Sequence, residues 1–161
     1  MARARENQLS ASLEDYLEVI YNLAEKFGVA RSRDIARSLG VSKSSVTGAL
    51  RLLKEKGLAN YEPYDYITLT EAGRTAAKEV VRRHNILKSF FEKVLGVHDD
   101  LAQKAACRAE HTLGPVIIGR LLSFIEFVTR NSESGYDLAA EFERFCEAEA
   151  RGPEEQETRD D

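Results

Sequence analysis

Apolar positions recur at three- and four-residue spacing along most of this chain, and strand-like runs are confined to one short stretch. Leu13, Leu17, Ile20, Ala24 and Phe27 form the first such stripe, with Tyr21 at its edge. They predict a helix that starts near Ser12 and stops at Gly28. A short helix, Asp34 to Leu39, follows with Ser32 as its cap, and Gly40 and Val41 make the next turn. Ser42 caps a third helix, Lys43 to Lys56, whose apolar positions are Val46, Leu50, Leu52 and Leu53, and Gly57 ends it. Leu58 to Glu62 and Tyr66 to Leu69 then read as strands, joined by the turn Pro63-Tyr64-Asp65.

The remainder is helical in pattern. Thr70 caps a long helix from Glu71 to about Leu95, which ends at Gly96. Asp99 caps another, to Leu113, closed by Gly114. Pro115 suits the first turn of the next helix, which runs to about Arg130. A last helix spans roughly Tyr136 to Ala150, and the acidic segment 151–161 is expected to be disordered. No internal repeat is visible. The pattern therefore predicts a mainly α protein. An N-terminal winged helix-turn-helix occupies residues 1–74, an all-helical second domain residues 75–150, and a tail residues 151–161.

Short helix, tight turn, longer helix and hairpin is the order of a winged helix-turn-helix, in which the second helix of the pair enters the major groove of DNA. Its leading end here carries Ser42, Lys43, Ser44, Ser45 and Thr47, with Arg51 further along. Hydroxyls and a helix N-terminus suit phosphates and base edges, and Lys43 and Arg51 add charge. Serines at a helix start also serve simply as caps, so the order of elements carries more weight than any one of them. The hairpin tip has little positive charge.

The net charge of −4 argues weakly against a nucleic-acid partner, but its distribution matters more, although a sign split of this size is common and the acidic tail inflates it. Residues 1–88 hold 15 Lys/Arg and 11 Asp/Glu, and residues 89–161 hold 8 and 16. A basic front half is compatible with DNA contact at one end only. No apolar run approaches the roughly 20 residues of a membrane span, and the charged N-terminus is unlike a secretory signal. Cys107 and Cys146 do not make a disulfide framework. A reducing cytoplasm is the expected compartment, where Cys107 is free to be a thiolate ligand.

Two stretches carry metal-ligand chemistry. Asp15 and Glu18 fall opposite the apolar stripe of the first helix. Cys107, Glu110 and His111, at i, i+3 and i+4, share one face, with Ala105, Ala109 and Leu113 on the other. His84 lies between them in the long helix. Carboxylate, imidazole and thiolate are all ligands of first-row divalent metals. Each has an ordinary structural account as well. Asp15 could complete a capping box with Ser12, Glu18 could face solvent, His84 could lie on the surface, Cys107 could be a small core residue, and His111 could close a helix.

Ser12-Leu13-Glu14-Asp15-Tyr16-Leu17-Glu18, Ile20-Tyr21, the helix-turn-helix, Leu69-Thr70 with Gly73, Arg83-His84 and Cys107-Arg108-Ala109-Glu110-His111 occur in one order. That ensemble, over about residues 10 to 130, resembles the diphtheria toxin repressor / manganese transport regulator family of metal-dependent transcription repressors. The resemblance implies a winged-helix domain, a helical metal-binding and dimerisation domain, and activation by Fe(II) or Mn(II). It implies a homodimer on double-stranded operator DNA, repressing metal-uptake genes, with neither enzymatic activity nor a small organic substrate.

Carried over by position, the manganese-type pattern places metal ligands at Asp15, Glu18, His84, Cys107, Glu110 and His111. Cys107 is the departure: the manganese type has glutamate there, and the iron type has cysteine but lacks carboxylates at the positions of Asp15 and Glu18. The iron type's ancillary site would need ligands where Lys88 and Gln103 stand, so that site is not expected, nor is its third, SH3-like domain. Gly48 stands where relatives carry a longer polar side chain. Asp15, Glu18, Glu110 and a Cys107 thiolate bring four negative charges, which two divalent ions per subunit would neutralise. Thiolate favours Fe(II), Co(II) or Zn(II), carboxylates suit Mn(II), and Zn(II) or Co(II) is expected to bind in vitro. A competing reading is a metal-independent winged-helix regulator with Cys107 as an oxidant sensor; a thiol reagent, not a chelator, would then change DNA binding. Val116, Ile117, Leu121, Leu122, Phe124, Ile125 and Phe127 are expected either at a dimer interface or in the internal core.

Overall fold

The computed structural model describes residues 9–62, 66–133 and 137–151. The chain divides into two compact units, Met1–Arg82 and Arg83–Asp161. The expected turn at 63–65 and the tail beyond Arg151 lie outside the described residues.

In the first unit, α1 (Ala11–Phe27) is capped by Ser10, whose hydroxyl accepts from the Leu13 N–H at 3.3 Å. Ser12 lies inside the helix, so it forms no capping box with Asp15. Leu13, Tyr16, Leu17 and Ile20 are the buried face. Phe27, expected in that stripe, is 62% exposed, because the helix terminates there at Gly28 and its last turn overhangs the core.

Next come α2 (Ser32–Leu39) and α3 (Lys43–Glu55). Ser32 is the first residue of α2 rather than its cap; the cap position is Arg31, which makes no side-chain capping bond. Ser42 does cap α3, accepting from the Ser45 N–H at 3.1 Å. Val46, Ala49, Leu50 and Leu53 pack inward, whereas Leu52, one of the expected apolar positions, is 48% exposed on the opposite side. The core joins α1, α2 and α3 through Leu17, Ile20, Ile35, Val46, Leu50 and Leu53.

The wing is short. β1 (Ala59–Asn60) pairs antiparallel with β2 (Thr68–Leu69) in the register Ala59 to Leu69 and Asn60 to Thr68. A further bridge ties Ala30 to Ile67, so the wing is stitched to the segment that leads into α2. Thr70 then locks the wing to the next helix. Its hydroxyl donates to the Gly57 carbonyl at 2.7 Å and accepts from the Gly73 N–H at 3.0 Å. Gly73 is required: a Cβ there would lie 1.8 Å from the Leu58 carbonyl oxygen.

α4 (Glu71–Lys93) starts in the first unit and continues into the second. There it is followed by α5 (Asp99–Ala109), α6 (Pro115–Glu133) and α7 (Leu138–Arg151). Ile86, Leu87, Val94, Ala106, Ile118, Ile125 and Val128 make this unit's core. Asp99 is not the cap of α5. His98 holds that position without a capping bond, and Asp99 turns to Lys88 Nζ at 2.6 Å. α5 also ends earlier than expected, at Ala109.

Candidate metal centre and DNA-reading face

In the second unit three of the six expected ligands, His84, Cys107 and His111, gather around a fourth, the Glu110 carboxylate. His84 on α4 and Glu110 just past α5 are the buried polar side chains among the described residues, 6% and 1% exposed. His84 Nδ1 lies 2.7 Å from Glu110 Oε2, and His111 Nε2 lies 3.3 Å from Glu110 Oε1. A ligand atom of Cys107 and a carboxylate oxygen of Glu110 are within 4.8 Å of each other.

The way α5 stops produces this arrangement. Ala102 and Ala106 are its buried positions, and Glu110 continues that row at i+4. The Glu110 N–H still bonds the Ala106 carbonyl at 3.0 Å. The chain then tightens, with the Thr112 N–H on the Ala109 carbonyl at 3.0 Å. His111 is therefore carried by a turn rather than a helical face. Ala105 is only half-buried, so the buried side of α5 is offset from the one expected. Cys107 is exposed and is not a filler of the core.

This donor set fits a divalent cation. A buried carboxylate needs compensating partners. Glu110 Oε1 is buried without a well-formed hydrogen bond, His111 Nε2 being near it but poorly aligned. Imidazoles, a carboxylate and a thiol around an under-bonded oxygen are the chemistry such an ion takes up.

Asp15 and Glu18 belong to the first unit. They are half-buried on α1 at i, i+3, beside the buried row of Leu13, Tyr16, Leu17 and Ile20. Burial raises the Tyr16 phenol above its ordinary pKa, and the Asp15 charge adds to that. Lys88, at the position that the ancillary site would need, is held by Asp99 at 2.6 Å and Glu92 at 3.6 Å. A cation thus stands where that site would require a donor.

Of the residues expected to read DNA, Ser42, Lys43, Ser44, Ser45 and Arg51 are exposed at α3, and Thr47 is half-buried. The Ser42 hydroxyl lies 2.8 Å from those of both Ser44 and Ser45. Thr47 donates its hydroxyl proton to the Lys43 carbonyl at 3.1 Å, which leaves its oxygen able to accept only. Lys54 pairs with Glu62 of the wing. Lys54 thereby offsets an acidic charge of the wing, a contribution the hairpin's own composition did not reveal. The Arg31 guanidinium lies 5.3 Å from the Tyr66 ring centroid, and its Nη2 is 3.5 Å from the Tyr66 hydroxyl. The Ala30–Ile67 bridge makes that contact possible, and it joins residues far apart in the chain.

Comparison with known proteins gives a consistent picture. Residues 8–66 match the family described as iron dependent repressor, N-terminal DNA binding domain. Residues 70–137 match its metal binding and dimerisation domain. The chain is 39% identical over 119 residues to an uncharacterized HTH-type transcriptional regulator of Methanocaldococcus jannaschii, covering 73% of this chain and 95% of that one. It is 37% identical over 127 residues to the HTH-type transcriptional regulator MntR of Shouchella clausii, covering 79% and 88%. Among solved structures, a manganese-dependent transcriptional repressor in complex with manganese superposes with a TM-score of 0.66 at 32% identity, over 71% of this chain and 53% of that chain. The manganese regulator SloR superposes with a TM-score of 0.64 at 28% identity, over 71% and 54%. The chain thus spans about half the length of those solved chains. Among the described residues no helix is long and apolar enough to cross a membrane.

Proposed function

The chain belongs to the iron-dependent repressor family, that of the diphtheria toxin repressor and the manganese transport regulator, and from this membership we propose a metal-activated repressor of metal-uptake genes that binds operator DNA as a homodimer. The observation that carries the proposal is the buried His84–Glu110 pair, with His111 and Cys107 beside it, in a chain whose other unit is a winged helix. Two imidazoles and a thiol around one buried carboxylate favour a metal site over a purely structural carboxylate.

In this reading Asp15, Glu18, His84, Cys107, Glu110 and His111 hold Fe(II) or Mn(II), two ions per subunit. The bound metal supplies positive charge that neutralises the carboxylates and thiolate. Without it, Asp15 and Glu18 of the DNA-binding unit and Glu110 of the second unit carry charge of one sign. Ligands drawn from both units would make metal affinity depend on how the units are arranged. That dependence is all a coupling to DNA affinity requires. The DNA-competent state would set the α3 helices of two protomers about 34–36 Å apart, one turn of the duplex.

The exposed side of α6 suits the partner protomer. Val116 is 76% exposed, Phe127 54% and Ile117 50%. A groove of about 530 Å³ runs beside them, lined by Phe90, Leu121 and Phe124 among others. Ile125 is buried within the unit, so the apolar residues of α6 divide between internal core and an exposed face that a partner protomer would cover in this reading.

Duplexes enriched by the metal-loaded protein from a random pool provide the test. Binding to them should vanish in EDTA and return with Mn(II) or Fe(II), and a regulator that binds them equally well in EDTA is not this one. Sedimentation should show a dimer.

A further inference from the structure

We propose that Gly48 sets operator specificity by letting α3 seat its bare backbone against a thymine methyl in the major groove, with the Leu52 side chain packed on the same methyl. This rests on the reading that α3 is the DNA-reading helix.

Gly48 sits in the middle of α3, Lys43–Glu55, on its exposed side. After proline, glycine is the least favourable residue for a helix interior. The fold does not ask for it. Gly28, Gly40, Gly57 and Gly96 have positive φ, and Gly73 is pressed against the Leu58 backbone. Gly48 has neither property, and a Cβ built on it meets nothing within 4 Å. Alanine would fit and favour the helix.

A glycine with no reason inside the chain points to something that approaches from outside. Its surroundings specify what. One turn before it are Ser44 and Ser45, and one turn after it are Arg51 and Leu52, all exposed. The side chains around Gly48 toward the N-terminus are small, so the backbone can enter the groove deeply. Leu52, 48% exposed, is the apolar group on this side of α3. Bare backbone beside a leucine complements an apolar feature of the groove, and the C5-methyl of thymine is the one the major groove offers.

The experiment uses the full chain loaded with Mn(II) and a duplex pool randomised over about two helical turns. The wild type should enrich a sequence, and replacing one thymine of it by uracil should weaken binding about tenfold, the cost of a lost base contact. Gly48→Ala should raise the thermal midpoint, bind the enriched duplex about tenfold more weakly, and lose its sensitivity to uracil. Leu52→Ala should lose that sensitivity too. Affinity for the unselected pool should stay within about twofold, since phosphate contacts are untouched. The inference is overturned if Gly48→Ala enriches the same sequence with the same affinity, or if no thymine-to-uracil change weakens wild-type binding. A wild type that enriches no sequence overturns the reading of α3 itself.

Discussion

His84 Nδ1 lies 2.7 Å from Glu110 Oε2, an imidazole and a carboxylate removed from water together. One residue comes from the middle of α4 and the other from just beyond α5. The pair gives Glu110 a partner where an isolated carboxylate would be strongly disfavoured. It leaves the second oxygen of Glu110 under-bonded.

Glu110→Gln should therefore abolish high-affinity Mn(II) uptake while leaving the fold intact, because an amide can still hydrogen-bond His84 but brings no charge. Added Mn(II) at a hundred times its dissociation constant should stabilise the wild type by about 2.7 kcal/mol. The variant should show almost none of that, with its melting temperature in EDTA close to the wild-type value. Scanning calorimetry with and without Mn(II) decides it, and a variant stabilised as much as the wild type removes Glu110 from the ligand set.

The order of elements was legible in the sequence, because Gly28, Gly57, Ser42 and Thr70 act locally and each does at its place what its chemistry predicts. Ends and faces were less so. Phe27 satisfies the period of α1, but periodicity cannot show that the helix outruns its core. Asp99 has the chemistry of a cap and is instead held by Lys88, a residue on another helix. The candidate ligands were legible as residue types. That Glu110 is buried against His84, and that His111 is carried by a turn once α5 ends at Ala109, spacing alone does not dictate. The link between Arg31 and Tyr66 crosses 35 positions and leaves no local trace.

Gly73→Ala should destabilise the first unit by roughly 1–3 kcal/mol, the usual cost of overpacking. The added methyl would collide with the Leu58 carbonyl, which already accepts from the Thr70 N–H at 3.1 Å and so cannot withdraw freely. Urea unfolding of the metal-free protein measures it. An unchanged midpoint would mean that the wing can shift away from α4 without loss.

Lys88 and Asp99 give a pH signature. The hydrogen bond from Lys88 is the main reason the Asp99 carboxyl titrates below the ordinary carboxylate range. The same bond is the main reason Lys88 titrates above the ordinary lysine range. A depressed carboxyl stabilises the fold above its unfolded pKa and loses that contribution as pH falls through the folded value. A raised ammonium contributes below its unfolded pKa and loses it as pH rises through the folded one. The bridge is thus complete across the neutral range and fails at both extremes. Lys88→Met should move the Asp99 titration up toward the ordinary carboxylate range, as read by carboxyl NMR shifts, with the Glu92 hydrogen bond still holding it down in part. Asp99 is exposed and Lys88 half-buried at the surface, so solvent screens the pair and little change in overall stability is expected.

Arg51→Ala should weaken DNA binding to every sequence by a similar factor and lower the salt slope by about one. Arg51 is exposed on α3 and, unlike Lys54, makes no ion pair with the wing among the described residues. Its charge is available to a phosphate. Affinities measured over a range of salt concentrations test this, and an unchanged slope with altered sequence preference would move Arg51 from phosphate contact to base contact.

Cys107 offers the sharpest test of metal choice. It is exposed beside Glu110, so a larger side chain can be accommodated without disturbing the core. A thiolate favours softer ions, and carboxylates favour Mn(II). Cys107→Glu should therefore shift the metal that activates DNA binding toward Mn(II) and away from Fe(II) and Zn(II), by about tenfold in the ratio of activating concentrations if one ligand's softness is worth about 1.4 kcal/mol. Cys107→Ser, which removes the thiolate without adding a carboxylate, should weaken all three. Anaerobic titrations of DNA binding with each metal compare the variants directly. If Cys107→Ser binds and responds as the wild type does, the thiol is outside the coordination sphere and the ligand set is the five remaining groups.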